Sequence, residues 1–503
     1  MKPSLFSFIF LWISLSATAQ PSTKILENSL EQARLAWGVP GMSVGIIYKN
    51  QKILNKGFGV KEQGKSDAIN STTQFAIASN TKAFVSAALS TLVSQNKISW
   101  DDPVIRYLPD FEMYDPYVTA HLTIRDLLCH RSGLGTFSGD VIWYKSELPA
   151  SEVIKKIKYV PQAFEFRSGY GYSNLMFITA GEVIRSVTQM NWDDYVKSTF
   201  FEPLDMNETI TSTDQLSDNR AIPHKPDGKV NLPIDWVNWD NMGAAGGIIS
   251  SSDDMTQWIQ LLLNKGIWKS DTIIEPDLLH EMWTPHNSFP ITESSHLDIP
   301  GRHFNGYGLG WGVYDYFGRK VITHSGGYDG MYSRVVLVPD EQLGFVVLTN
   351  TMTGIITPVI FDIINQFIKE DTRDWHAKYL DRKSGVGMEE WIEARQNARQ
   401  IDTQPRLSIT SYAGQFFDPM YGTITIQVKD DKLRLSFENA PLLNASLEHW
   451  HHDTWQILWD ETHAWFNEGW VTFEMDVTNS ITEIKFDVPN YDIFFHEINA
   501  KKK

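Results

Sequence analysis

A single cysteine, Cys129, is all that 503 residues contain, so the chain forms no internal disulfide and offers neither cysteine-based metal ligation nor thiol redox chemistry. Beyond the first twenty residues no apolar run approaches the roughly 20 residues that a membrane-spanning helix needs. Internal repeats and low-complexity tracts are missing as well. Positive charge is scarce: 44 Lys and Arg stand against 61 Asp and Glu, a formal −17 that repels nucleic-acid phosphates and anionic lipid. Nucleic acid is therefore not the expected partner, and no stable membrane anchor is expected.

What is present is an ordinary globular balance of 42% apolar and 21% charged residues, with length for two or three domains at about 100–200 residues each. Aromatics reach 13%, with 18 Trp, more than a core asks for. Part of that surface is expected to line a groove or a subunit contact, which leaves a homo-oligomer open. At the amino terminus Lys2 precedes an apolar run from Leu5 to Leu15 and the small-residue site Ala17-Thr18-Ala19. This pattern predicts a signal peptide over 1–19, cleaved after Ala19, and a secreted or periplasmic protein.

Along the chain, an amphipathic helix is expected near Thr23–Trp37, followed by a β-hairpin from Met42–Tyr48 and Lys52–Phe58. A helical pattern runs from Phe75 to about Ser94, and a second follows Asn174 through Met190. Val321–Thr323, Ser333–Val338 and Phe345–Leu348 read as strands, with a closing helix over Ile355–Ile368. Strands from both ends and helices from the middle imply an α+β sandwich on a central antiparallel sheet, over 20–368. A charged, partly helical linker over 369–405 leads to strict alternation at Ile424, Ile426 and Val428, then Leu433, Leu435 and Phe437, so 406–503 is expected to be a small all-β barrel or sandwich.

Chemistry concentrates at Ser79-Asn-Thr-Lys82, where a Ser and a Lys three apart share one helix face. A Lys whose ammonium is disfavoured by burial can take the Ser proton, and a helix N-terminus below the Ser assists an oxyanion. Alone the tetrad is a weak signal. It is followed, in order, by Tyr172-Ser173-Asn174 at a helix start and by His324-Ser325-Gly326-Gly327 at a strand. In that order the motifs resemble those of the serine β-lactamase and penicillin-binding-protein superfamily: Ser-x-x-Lys, Tyr-x-Asn, and Lys-Thr-Gly or His-x-Gly. Thr123–Leu134, Pro203–Met206, Gly243–Ile248 and Tyr307–Trp311 are similar to segments of its class C-like branch, so the resemblance spans roughly Thr23 to Phe367.

The resemblance implies a β-lactamase/transpeptidase-like fold with Ser79 as nucleophile, Lys82 as proton acceptor and Tyr172 as a further acid and base. It implies substrate contacts at Asn174, His324, Ser325 and Gly326, and an oxyanion hole from the backbone N–H groups of Ser79 and Gly327. His324 stands where lactamases carry Lys; an ordinary His is mostly neutral at pH 7 and grips a carboxylate less well. The chain is thus more similar to the His-x-Gly branch of peptidases, amidases and esterases acting on small or D-amino-acid-containing substrates. A weak β-lactamase and a non-catalytic penicillin-binding sensor are the alternatives. Tyr412-Ala-Gly-Gln-Phe416 and Tyr421-Gly-Thr-Ile424 resemble an appended lipocalin-like module. No cofactor and no metal is implied, His449-Trp450-His451-His452 included, since it has no acidic or Cys partner at a recognisable spacing.

Overall fold

The computed structural model describes residues 21–228, 230–293, 299, 301–380 and 386–503; the expected leader lies outside them. Helix α1 (Thr23–Ala36) starts at Ser22, whose hydroxyl accepts from the Ile25 N–H, and buries Leu26, Leu30 and Ala33 along one face. Strands β1 (Gly41–Tyr48) and β2 (Gln51–Gly59) form the expected hairpin; Lys49 and Asn50 both take positive φ, the twist that suits a two-residue turn. The second helix begins later than periodicity implied. Phe75–Ala76 is a short strand paired with Ile249–Ser250, a single 3-10 turn covers Ala78–Asn80, and α2 proper is Thr81–Ser94. Nearly all of α2 is buried, and Phe84 stacks on Trp258 with centroids 4.0 Å apart.

Helices α3 (Asn174–Thr188) and α4 (Ser252–Leu263) complete the helical layer. The sheet then takes up β3 (Asn287–Ser288), β4 (Asn305–Tyr307), β5 (Gly312–Tyr316), β6 (Arg319–Tyr328), β7 (Met331–Val338) and β8 (Leu343–Thr349). Its order is β2-β1-β8-β7-β6-β5-β4-β3, all antiparallel. Residue parity decides the layers, because successive side chains leave a strand on opposite faces. Val335, Leu337, Val346 and Leu348 join the core around α2 and α3, whereas Val336, Val338, Phe345 and Val347 join the core under α1 and α5 (Ile356–Ile368). The outcome is the expected α+β sandwich on an antiparallel sheet.

Two helices follow, α6 (Trp375–Leu380) and α7 (Val386–Asn397). Trp375 is fully buried and stacks on Phe361 at 4.1 Å, so this part of the charged stretch is docked on the sandwich. The remainder is a closed, up-and-down barrel of β9 (Gly414–Asp418), β10 (Gly422–Lys429), β11 (Lys432–Phe437), β12 (Ala445–His451), β13 (Thr454–Trp459), β14 (Trp470–Met475), β15 (Ile481–Asp487) and β16 (Ala500–Lys502). The alternation reads through directly: Ile424 faces Phe437, Ile426 faces Leu435 and Val428 faces Leu433 across a tight turn at Asp430–Asp431. Pairing of β9 with β16 closes the ring and leaves no open edge. Among the described residues no helix is long and apolar enough to cross a membrane.

Candidate active site

Ser79 sits in the 3-10 turn that feeds α2, directly after Ala78, a non-glycine residue at φ +46. That left-handed residue turns the chain sharply, and the turn is clamped from the sheet side. Ser333 of β7 donates its hydroxyl to the Ile77 carbonyl at 2.7 Å, and Asn80 Nδ2 donates to Ser333 Oγ at 2.8 Å. Strand β6 lies so close that a Cβ on Gly326 would fall 2.1 Å from the Ile77 carbonyl oxygen. Glycine is required there by contact, not by φ. Gly326→Ala is expected to push β6 off the Ser79 turn at a cost of ~1–3 kcal/mol, read as a lowered Tm; an unchanged Tm would show that the close approach is not a constraint.

Lys82, one turn further along, is fully buried. Its Nζ donates to Asn174 Oδ1 at 2.7 Å, to the Ala245 carbonyl at 2.6 Å and to Ser79 Oγ at 3.0 Å. Burial pulls its pKa well below the ordinary lysine value, and the neighbouring Asp140 partly offsets this. Two of the three contacts are to carbonyl oxygens, which can only accept. An amine that has lost one proton therefore keeps those two bonds and turns its lone pair to the Ser79 hydroxyl.

Tyr172 and Asn174 come from the segment leading into α3, whose N-cap is Ser173. Asn174 does not cap the helix with its side chain. Its Oδ1 faces Lys82 and its Nδ2 donates to Asp140 Oδ2 at 2.7 Å, an orientation fixed because a lysine donates and a carboxylate accepts. Burial pushes the Asp140 carboxyl up to about 8. The Tyr172 ring lies 4.8 Å from Lys82 Nζ, and a hydrogen bond with Ser79 favours its phenolate against burial, which pushes the phenol well up. His130 holds this segment: its Nδ1 accepts from the Ser173 N–H at 3.1 Å, and its ring packs 4.4 Å from that of Tyr172.

The third motif lies on β6, with Ser325 exposed, Gly326 buried and Gly327 partly exposed above the Ser79 turn. His324 lines the same cavity as Ser79, with its ring held from within the protein. Its Nδ1 donates to the Ser325 carbonyl at 2.6 Å, so its Nε2 accepts from the Tyr307 hydroxyl at 2.7 Å. Both ring nitrogens are committed inside the protein. Burial and the Lys82 charge hold its pKa down at about 3, so the imidazole is neutral.

Ser79, Tyr172, Asn174, His324, Ser325 and Gly327 line one cavity of about 390 Å³. Its walls are rich in aromatic side chains, among them Phe137, Trp143, Tyr170 and Trp239. Sequence reading missed Asp140, which no motif marks because it acts through Asn174 across a loop. It also missed three wall residues from the barrel: Trp465, Asp492 and Ile493. Trp465 reaches the Gly327 end, within 3.2 Å of where a Gly327 Cβ would stand. Barrel and sandwich are tied beside the cavity. Glu497 accepts from the Ser138 hydroxyl at 2.5 Å and the Gly139 N–H at 2.7 Å, just before Asp140, and Lys225 Nζ donates to the carbonyls of His463 and Phe466 and to Asn467 Oδ1.

Among the described residues no group of three or more His, Cys, Asp or Glu side chains is placed to hold a metal ion. In the histidine-rich turn, His449 Nε2 bonds the His452 carbonyl and His452 Nε2 bonds Gln400 Oε1.

Comparison with known proteins agrees with this geometry. An unguisins hydrolase, ungD', of Aspergillus campestris (strain IBT 28561) is 27% identical over 439 residues, 81% of this chain and 77% of the relative. The octameric penicillin-binding protein homologue from Pyrococcus abyssi superposes with a TM-score of 0.61 at 18% identity, over 96% of this chain and all of that one. The D-amino acid amidase from Ochrobactrum anthropi SV3, in complex with L-phenylalanine amide, superposes with a TM-score of 0.56 at 23% identity, over 69% of this chain and 98% of that one. A domain of unknown function, DUF3471, matches residues 398–502, the barrel. The Beta-lactamase family model matches residues 28–355, the whole stretch that builds the Ser79, Lys82, Tyr172 and Asn174 cluster, and by that match the chain belongs to the Beta-lactamase family.

Proposed function

We propose that this protein is an exported serine hydrolase that cleaves an amide or ester bond through an acyl-enzyme on Ser79, acting on small or D-amino-acid-containing substrates as a peptidase, amidase or esterase. The observation that carries the reading is the Lys82 amine, held by two carbonyl oxygens with its third direction on Ser79 Oγ at 3.0 Å. Ser79 Oγ attacks the carbonyl carbon while its proton passes to Lys82, directly or through Tyr172. The backbone N–H groups of Ser79 and Gly327 receive the oxyanion, aided by the α2 N-terminus. Tyr172 passes a proton to the leaving amine or alcohol as the carbon–heteroatom bond breaks. Water then attacks the Ser79 ester, with the same two side chains taking its proton, and Ser79 recovers its own.

The names of the relatives agree with amide cleavage: one is called a hydrolase of unguisins, and another is a D-amino acid amidase. A neutral His324, engaged by Tyr307, gives penicillins no charged grip from the third motif, which weighs against the lactamase alternative. The complete Ser79, Lys82, Tyr172 and Asn174 set weighs against a non-catalytic sensor. The test is a screen of p-nitrophenyl esters and D-amino-acid p-nitroanilides with the mature protein. Turnover of at least one class is expected, and stoichiometric release with no turnover would favour the sensor.

The pH profile carries a further expectation. Lys82 works as the free amine, so kcat/KM rises with pH as Lys82 deprotonates, far below the ordinary lysine range. Asp140 is the neighbour whose charge raises the Lys82 pKa. A kcat/KM that falls as the pH rises through the neutral range would show that Lys82 does not work as the free amine.

A further inference from the structure

The segment Thr123–Leu134 supplies none of the reacting groups, yet it is anchored more firmly than a loop needs to be. It starts as the short helix Ile124–Leu128, closed by a capping box: the Thr123 hydroxyl accepts from the Asp126 N–H, and Asp126 Oδ2 accepts from the Thr123 N–H. The Asp126 side chain is fully buried and also takes Arg131 Nε at 2.5 Å and Arg167 Nη2 at 2.7 Å. The Arg167 N–H in turn donates to the Arg131 carbonyl at 3.0 Å. Taking one partner from such a buried carboxylate is costly, so the chain is pinned on both sides of His130 and again at Arg167.

His130, between these anchors, carries two local costs. Its φ is +59, a left-handed conformation that suits Asn or Gly better than His. It is fully buried, and its Nε2 has no hydrogen-bond partner among the described residues, the ring being enclosed by those of Tyr170, Tyr172, Phe177 and Tyr307. Strain and an idle buried N–H persist together where the surrounding structure demands that residue in that place.

The place is a clasp on Tyr172. The His130 carbonyl accepts from the Gly171 N–H at 3.0 Å, and its Nδ1 accepts from the Ser173 N–H at 3.1 Å, so one residue holds the chain on either side of the phenol. The facing loop takes the rest: the Tyr172 N–H donates to Thr136 Oγ1 at 3.1 Å, and its carbonyl accepts from the Phe137 N–H at 2.8 Å. The phenol ring itself meets the His130 ring at 4.4 Å, that of Phe137 at 5.4 Å and Lys82 Nζ at 4.8 Å. Only a neutral imidazole serves, because a proton on Nδ1 would set two N–H donors against each other. Burial first, then Lys82 and His324, hold the His130 pKa well below the ordinary histidine value.

We propose that His130 is a positioning residue that holds the Tyr172 hydroxyl where the leaving group is protonated. This rests on the acyl-enzyme reading above and deepens the part Tyr172 plays in it. As the carbon–nitrogen bond of an amide breaks, its electron pair stays on nitrogen and the Tyr172 proton goes to that nitrogen; the phenolate recovers a proton from the Lys82 ammonium, which holds the one from Ser79. An alkoxide leaves in the same way. A p-nitrophenolate is stable at neutral pH and leaves without the proton, so the need for a well-placed Tyr172 depends on the leaving group.

The test compares His130→Phe, which keeps a ring and loses the acceptor, with His130→Asn, whose Oδ1 stands where Nδ1 was and which tolerates positive φ. The substrates are the p-nitrophenyl ester, the methyl ester and the amide of N-acetyl-D-alanine. His130→Phe is expected to lower kcat/KM by about 10²-fold for the methyl ester and the amide but by less than about threefold for the p-nitrophenyl ester. His130→Asn should restore most of the loss. In a Tyr172→Phe background, His130→Phe should cost nothing further, since it acts through a group already gone. Equal losses on all three substrates, or a loss that adds to that of Tyr172→Phe, would overturn the inference. Should His130→Phe show no cooperative unfolding, His130→Gln, whose acceptor lies one bond further out, carries the same comparison. Failure of the acyl-enzyme reading would show separately, as an unaltered protein in which a fluorophosphonate leaves Ser79 unlabelled.

Discussion

Replacing Ser79 by alanine is expected to lower kcat by roughly 10⁵-fold or more while the protein stays folded, the scale on which loss of a nucleophile acts in serine hydrolases. The hydroxyl is half-buried and its hydrogen-bond partner Lys82 keeps two other bonds, so its removal leaves no large cavity. Lys82→Ala should cost nearly as much, because nucleophile and base act as one unit and their losses do not add. A double variant markedly slower than either single variant would show that the two act independently.

The second large effect concerns the barrel. The four residues of the Ser79 cluster all precede Phe367, and from sequence a chain ending near Ile368 is expected to keep the acylating machinery. The structure adds that Trp465, Asp492 and Ile493 of the barrel wall the cavity and that Glu497 grips Ser138 and Gly139 beside Asp140. Glu497→Ala in the intact protein is expected to lower kcat/KM by about 10²-fold, the cost of a small misplacement of catalytic groups. The loss would run from Gly139 through Asp140 to Asn174 and Lys82. Glu497→Gln keeps an accepting oxygen and should restore most of the activity. Equal activity in Glu497→Ala and the unaltered protein, with both folded, would mean that the barrel wall has no part in positioning the base.

What the sequence discloses is what depends on local pattern. The hairpin at Lys49–Asn50, the barrel alternation about Asp430–Asp431 and the order of three motifs are legible because each is written within a few residues. The start of α2 is not, since Phe75–Ala76 is pulled into a strand by Ile249–Ser250, far along the chain. Asp140 escapes notice for the same reason: only the folded chain brings that carboxyl to Asn174. His324 is legible as a departure from Lys, but its bond to Tyr307 depends on the sheet placing β4 and β5 beside β6. The barrel residues at the cavity carry no motif, and only the docking of one unit on the other reveals them.

The central claim, that Ser79 activated by Lys82 forms the covalent intermediate, is tested most directly by intact-mass and peptide-mapping measurement of the protein after reaction with a fluorophosphonate probe. One adduct per chain on the peptide containing Ser79, absent from Ser79→Ala and strongly slowed in Lys82→Ala, is the predicted result; an unlabelled protein, or an adduct on any other residue, would contradict the account.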